Sequence, residues 1–307
     1  MITKDSVKKY VEANPKLVSK KETSLPGVYV LKYKNRCFYD GIWNEVIENS
    51  RGAVIDSDYN LIANPFRKIY NFGIEKNAPI INDDEMVTAV RKVNGFMLAV
   101  SWYNGDFLFS TTGSVDSDYV KMGKEMFYEH NKNDKEEMKF LTFLLKACNC
   151  TVLYECVHPN DPHIVPEKAG VYYLGRRKNN WGAKFDYPKI PSSGGFSLDG
   201  GIAPEIIYTT MGEIKDRVKK VKHEGYVIYT DDGRATKIKS PYYLTNKFLA
   251  RCGKTDRLLS KDIKQNIEEE FYPLIDKIQQ NIEFFTLLSE QERLKFTRDC
   301  LNSNYYG

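Results

Sequence analysis

The chain has 307 residues, 42% of them hydrophobic and 28% charged, with a formal net charge of +4. That is apolar material enough for one large core or two ordinary ones. A mean hydropathy of −0.50, with no apolar run near the roughly 20 residues a bilayer requires, excludes a membrane-spanning helix. The lysine-rich start, Met1 to Lys9, has no secretory apolar core, so the expectation is a cytoplasmic protein. Six scattered cysteines (Cys37, Cys148, Cys150, Cys156, Cys252, Cys300) read as reduced thiols rather than a disulfide framework, and Cys148-x-Cys150 with Cys156 and His158 lacks the paired knuckles of a zinc site.

In chain order, the first predicted strand covers 51–55, rich in Val and Ile. A hairpin follows: β-prone runs at 96–103 and 107–111 flank Asn104-Gly105-Asp106, whose Asn-Gly supplies the positive φ angles of a tight turn. Helices are predicted over 119–128 and 136–147, then strands over 151–157 and 171–174. Residues 188–204, with Ser192-Ser-Gly-Gly195 and Gly200-Gly201, form a long loop. A helix over 211–222, with Ile214, Val218 and Val221 on one face, leads into strands at 225–230 and 234–239. Beyond Pro241 the character changes. Ile267, Phe271, Ile275, Ile278, Ile282 and Phe285 step by threes and fours along one helical face, with Pro273 marking a helix start or a kink. The expectation is an α+β domain over 1–241 and a small all-helical C-terminal domain over 242–307.

Charge is unevenly spread. Between Lys215 and Lys261 stand 13 Lys/Arg against 5 Asp/Glu, which suits either a solvated face or a polyanionic partner.

Four short patterns carry chemistry. Lys92-Val-Asn-Gly95 places an amine and a glycine just before a strand, where a ligand could approach closely, although an ordinary loop lysine fits the same spacing. Lys237-Ile-Lys239 projects two ammonium groups to one face of a strand, an arrangement that suits phosphates or plain solvent. Glu224-Gly225 precedes that pair by a hairpin and offers a carboxylate for a hydrated cation. Glu155 lies inside the apolar run 151–157, where a charge needs a partner, either a salt bridge across the sheet or a ligand.

Taken in order, Arg51-Gly52, Lys92-x-Asn-Gly95, Glu155, Glu224-Gly225 and Lys237-x-Lys239 resemble the motifs of the covalent nucleotidyltransferase superfamily of ATP-dependent DNA ligases, RNA ligases and mRNA capping enzymes. The stretch Ser50-Arg-Gly-Ala-Val-Ile55 running to Asn64-Pro-Phe-Arg-Lys-Ile-Tyr-Asn-Phe72 is similar to the RNA ligase 1 family of T-even phages. Thr112-Gly-Ser114, Pro159 to Val165 and Tyr173-Leu-Gly-Arg-Arg177 also resemble that family's landmarks, and the likeness spans about residues 29–243. It implies an antiparallel-sheet nucleotidyltransferase, ATP-grasp-like ligase domain ahead of the helical tail.

The resemblance makes Lys92 the nucleophile that becomes lysyl-AMP, with Lys237 and Lys239 as the catalytic phosphate-binding pair. Arg51 and Lys68 match basic residues that contact the nucleotide or an RNA phosphate. Gly95 closes the nucleophile motif, and Glu155 matches a carboxylate near the ribose hydroxyls or a metal-bound water. Glu224 matches the metal-site carboxylate, and Val227 and Tyr243 stand where adenine packing and phosphate contact are expected. One departure is Thr112, where the family pattern has a lysine; either another basic residue such as Lys121 or Arg176 supplies that contact, or the enzyme is weaker in one step.

An ordinary lysine with a pKa near 10.4 is deprotonated in only about one molecule in a thousand at neutral pH. Lys237, Lys239 and a bound cation beside Lys92 are therefore expected to disfavour its ammonium form and to stabilise phosphate charge. The implied reaction joins RNA 3′-hydroxyl and 5′-phosphate ends, with ATP and Mg²⁺ or Mn²⁺, by a monomer without membrane contact, in repair of broken RNA such as nicked tRNA in a virus-infected host cytoplasm. A DNA ligase or an mRNA guanylyltransferase shares the motifs but usually carries a β-barrel after the second lysine pair. A non-catalytic RNA-binding relative is the alternative that Thr112 favours.

Overall fold

Strand pairing in this chain follows the period-two alternation of its apolar residues. The computed structural model describes residues 2–161, 163–189, 200–251, 260, 262–289, 292–293, 295–297 and 299–301; residues 190–199 of the expected loop lie outside these. The chain forms two compact units. The first comprises Met1–Lys68, Gly95–Pro162 and Lys168–Ile206, and the second Ile69–Asn94, His163–Glu167 and Ile207–Gly307.

The first unit opens with α1 (Lys4–Ala13), then β1 (Val18–Glu22) and β2 (Val28–Tyr33), the short helices α2 (Arg36–Tyr39) and α3 (Glu45–Asn49), then β3 (Arg51–Asp56) and β4 (Leu61–Ala63). These four strands pair in sequence order, all antiparallel. The chain then lays down β5 (Tyr70–Asn71) and β6 (Met86–Arg91) in the second unit and returns for β7 (Phe96–Tyr103) and β8 (Asp106–Ser110). Tyr103 pairs with Asp106 across a two-residue turn, with Asn104 at φ 50° and Gly105 at φ 89°, as the Asn-Gly predicts.

Next come α4 (Asp118–Asn131), α5 (Lys135–Cys148), β9 (Cys150–Val157), β10 (Gly170–Lys178) and β11 (Phe185–Asp186). The second sheet of this unit runs β11-β10-β9-β7-β8. Its strands alternate cleanly: Leu98, Val100, Val152 and Tyr154 pack with Phe127, Leu141 and Leu145 of the two helices, whereas Met97, Ala99 and Leu153 face Phe66 and Phe185.

The second unit adds β12 (Ile206–Thr210), α6 (Met211–Val218), β13 (Gly225–Tyr229) and β14 (Ala235–Lys239), and its sheet runs β12-β6-β13-β14-β5. Helix α6 is four residues shorter than predicted. Met211, Ile214 and Val218 complete its buried stripe, and the following Lys219, Lys220 and Lys222 crowd like charges with only half-buried Val221 to pack.

The described part of the 242–307 segment also belongs to this unit. It starts in α7 (Pro241–Arg251) and continues through helices at Ile263–Asn266 and Tyr272–Gln280, with a single 3₁₀ turn at Glu269–Phe271, and a further helix at Ile282–Leu287. Pro273 sits in the first turn of its helix, where a missing N–H costs nothing. The apolar stripe is interrupted at Asn281, yet Phe271, Ile275, Ile278 and Phe285 share one core with Leu244, Phe248 and Val165. Among the described residues, no helix is long and apolar enough to cross a membrane.

Candidate active site

Three adjacent strands fix the lysines of the second unit. Tyr226 pairs with Arg91 and Gly225 with Lys239, and the Lys92 N–H donates to the Gly225 carbonyl at 2.8 Å. Lys92 and Lys239 therefore flank Gly225 on one face of the sheet, about 10 Å apart at two strand spacings. One step along, Val90, Val227 and Lys237 lie side by side on that same face. The opposite face, with Ala89, Tyr226, Ile228 and Ile238, is core beneath α6. Gly225 has φ 134°, and a Cβ there would sit 2.1 Å from the Ile238 carbonyl oxygen, so only glycine fits between the two lysines.

Opposite charges then alternate through the site. The Lys92 ammonium, with 24% of its side chain exposed, is 3.0 Å from Glu224 Oε2, and Lys239 Nζ is 3.7 Å from Glu224 Oε1. Lys239 Nζ is also 2.5 Å from Glu270 Oε1, which in turn accepts from Lys247 Nζ at 2.8 Å. Lys247 additionally pairs with Glu268. Burial pushes the Glu224 carboxyl up, but Lys92 and Lys239 outweigh it and hold the group below the usual carboxylate range. Burial likewise opposes charge on Lys239, yet Glu270 and Glu224 keep its pKa above the ordinary lysine value. Lys247, desolvated and beside the Lys239 ammonium, is pushed down to about 7.

Asn94 locks the corner. Its Nδ2 donates to Glu224 Oε2 at 3.0 Å while its Oδ1 accepts from the Ile164 N–H at 3.1 Å. An aspartate could not make the first bond and would set a second negative charge against Glu224. Tyr243 is 4% exposed, with the Lys239 and Lys247 ammonium groups 5.5 and 5.4 Å from its ring centroid, so the ring backs the cations from inside the core.

For a cation, Glu224 is the one predicted ligand in this unit. Magnesium keeps most of its waters and takes one or two carboxylates plus substrate phosphates. The absence of any cluster of three or more His, Cys, Asp or Glu among the described residues is compatible with that mode. Glu224 fits it once Lys92 no longer occupies Oε2.

The remaining predicted residues belong to the first unit. The Gly95 N–H donates to Glu155 Oε1 at 3.1 Å, and a Cβ on Gly95 would lie 2.2 Å from the Cys156 carbonyl oxygen, so the glycine is what lets this backbone approach β9. Arg51 opens β3, opposite Lys32 of β2. Lys68 is almost wholly buried, its ammonium 4.4 and 4.8 Å from the ring centroids of Phe38 and Trp43. Both rings lie within cation–π range of that ammonium.

Of the expected substitutes for a lysine at Thr112, Lys121 pairs with Asp118 and Arg176 with Asp186. The Lys32 ammonium lies beside the neighbouring Gly113, 3.3 Å from where a Cβ there would sit. The family-like landmarks at 64–68 and 173–177 are mutually braced by Arg177, which donates to Asn64 Oδ1, the Pro65 carbonyl, Asn49 Oδ1 and the Ala183 carbonyl at 2.7–3.1 Å.

Lys247, Glu268 and Glu270 of the second-unit cluster escape the sequence reading, and Asn94 enters it only as part of the Lys92 motif. The usable signal for Glu270 was that Glu268-Glu-Glu270 runs directly into Phe271, whose burial pulls the last carboxylate inward.

Residues 49–248 match a family model described as RNA ligase. The chain is 23% identical over 290 residues to an RNA ligase of Rhodothermus phage RM378, covering 83% of this chain and 57% of that protein, so it spans little more than half the phage protein's length. Among solved structures it is similar to two forms of an archaeal ATP-dependent RNA ligase, with TM-scores of 0.57 and 0.58 at 12% identity, over 100% of this chain and 80% of the other. At that identity the likeness establishes the fold: mixed α+β with antiparallel sheets.

Proposed function

The chain belongs to the RNA ligase family, and we propose that it joins RNA 3′-hydroxyl and 5′-phosphate ends at the expense of ATP, through AMP carried on Lys92. The observation that carries this reading is the placement of Lys92 and Lys239 on either side of Gly225, on one sheet face, with Glu224 bridging them. In the first step the Lys92 Nζ lone pair bonds to the α-phosphorus, the bond from that phosphorus to the β-phosphate oxygen breaks, pyrophosphate leaves, and the nitrogen sheds a proton.

Lys237 and Lys239 hold the phosphate oxygens and meet the charge that develops on them. Val90 and Val227, beside Lys237, offer an apolar strip for the base. An RNA 5′-phosphate oxygen then attacks the same phosphorus and returns the bonding pair to Lys92. Finally the 3′-hydroxyl attacks the 5′-phosphate and AMP departs.

Glu224 would hold a divalent cation, Mg²⁺ or Mn²⁺, which when bound neutralises phosphate charge. Roles for Arg51, Lys68 and Gly95 at the nucleotide or RNA, and for Glu155 at the ribose or the cation, rest on the family resemblance. Broken structured RNA such as nicked tRNA is the substrate that the same resemblance favours, and the basic stretch from Lys215 to Lys261 supports a polyanionic partner.

Incubation with α-labelled ATP and Mg²⁺ should attach one AMP per chain, read as a single mass increment. No increment, or one with GTP in preference to ATP, overturns the assignment. Sealing of nicked DNA in preference to nicked tRNA overturns the substrate class.

A further inference from the structure

Lys239 is held from two sides. Its ammonium touches Glu270 at 2.5 Å and Glu224 at 3.7 Å. Of the two, Glu270 comes from the helical segment and lies beyond the stretch 49–248 that matches the family. Glu270 is 2% exposed, and its placement is fixed by Phe271, buried with Leu244, Phe248, Leu274 and Ile275. It also takes Lys247, so one carboxylate restrains two buried ammonium groups. A lysine side chain carries about 2 kcal/mol of rotamer entropy. Pinning it during folding removes that cost from nucleotide binding. Glu224, which also pairs with Lys239, bonds Lys92 as well.

We infer that Glu270 is a positioning residue for the nucleotide phosphates: it fixes the Lys239 ammonium beside Glu224, so the helical segment completes the Lys92 site. This rests on the lysyl-AMP reading above. Kinetics of AMP attachment as a function of ATP concentration test it.

Glu270→Gln should lower kcat/KM for ATP by about 100-fold, the scale of a 1 Å misplacement, mainly through KM, and Glu270→Asp should recover part of the loss. Because Glu270→Gln also takes one carboxylate from each of two buried lysines, its melting temperature should fall. Adding Lys247→Met removes one of them, and the double variant should regain melting temperature while its AMP attachment stays slow. In a Lys92→Ala background, which takes no AMP, calorimetric ATP binding should weaken on Glu270→Gln by a similar factor. Recovery of both rate and stability in the double variant would reduce Glu270 to a structural role and overturn the inference. So would a Glu270→Gln protein that is labelled as fast as the parent or faster. A parent protein that takes no AMP at all would instead sink the ligase reading, and unchanged calorimetric ATP binding on Glu270→Gln would still overturn this inference.

Discussion

The two units bury cations in opposite ways. In the first, Arg177 is satisfied by two carbonyls and two amide oxygens. Burial and nearby Arg67 push Arg177 down to about 10, because neutral dipoles orient toward a charge but do not cancel it. In the second, Lys239 and Lys247 meet full carboxylates. A cation bound by neutral groups with fixed geometry is a brace. In the proposed reaction, one bound by carboxylates beside Lys92 would exchange its partner for a phosphate, and the contrast would then separate scaffold from chemistry within a single chain.

The strongest way to break the contrast is Lys92→Ala, which should abolish AMP attachment entirely and, by taking from buried Glu224 its partner at 3.0 Å, also lower the melting temperature; label retained on the variant would remove Lys92 from the chemistry. Next in size is Lys239→Ala. Sequence reasoning expects lost adenylation with an intact fold for both Lys237→Ala and Lys239→Ala, but the buried pairing of Lys239 changes the second expectation. Its removal leaves Glu224 and Glu270 short of a counter-charge, a loss of about 3–5 kcal/mol readable by urea denaturation. Half-buried Lys237 should lose labelling at little cost in stability.

Arg177→Met probes the other side of the comparison. Four acceptors lose their donor, so denaturation should show a loss of about 3 kcal/mol, while AMP attachment per folded molecule is retained; lost labelling in a folded variant would place Arg177 among the reactive groups.

The smallest effect is a titration. His223 Nδ1 accepts the Gly225 N–H at 3.2 Å, and burial together with Arg91 pushes the ring down to about 4. Between that value and the ordinary 6.5 the unfolded chain binds more protons. Stability is therefore full above about pH 6.5 and falls as acid takes the pH toward 4, by no more than about 3 kcal/mol. His223→Gln should flatten that acid limb in a stability profile, and an unchanged limb would assign it to other groups.

Much of the fold was legible because its signals are local. The Asn104-Gly105 turn, the alternation in 151–157 and the i, i+2 pair Lys237 and Lys239 need only neighbours to be read, and the structure has the turn and strands where these signals put them. The first helix was also readable but passed over: Thr3 and Ser6 form a capping box ahead of buried Val7 and Val11. What was not legible is non-local. Glu270 and Lys247 form no motif of their own, since nothing within a few residues says that Glu270 holds a lysine 31 positions away. The surroundings of Lys68 are non-local in the same way, since only packing places Phe38 and Trp43 over its ammonium.

The alternating row Lys92, Glu224, Lys239, Glu270, Lys247, Glu268 sums to zero formal charge. Attaching AMP turns the Lys92 ammonium into an uncharged phosphoramidate and adds a phosphate anion, so the row and its adduct swing by two units toward negative. The loaded protein should thus differ from the free one in its appetite for counter-ions, a ledger imposed by covalent chemistry alone, and electrophoretic mobility would register it before any RNA arrives.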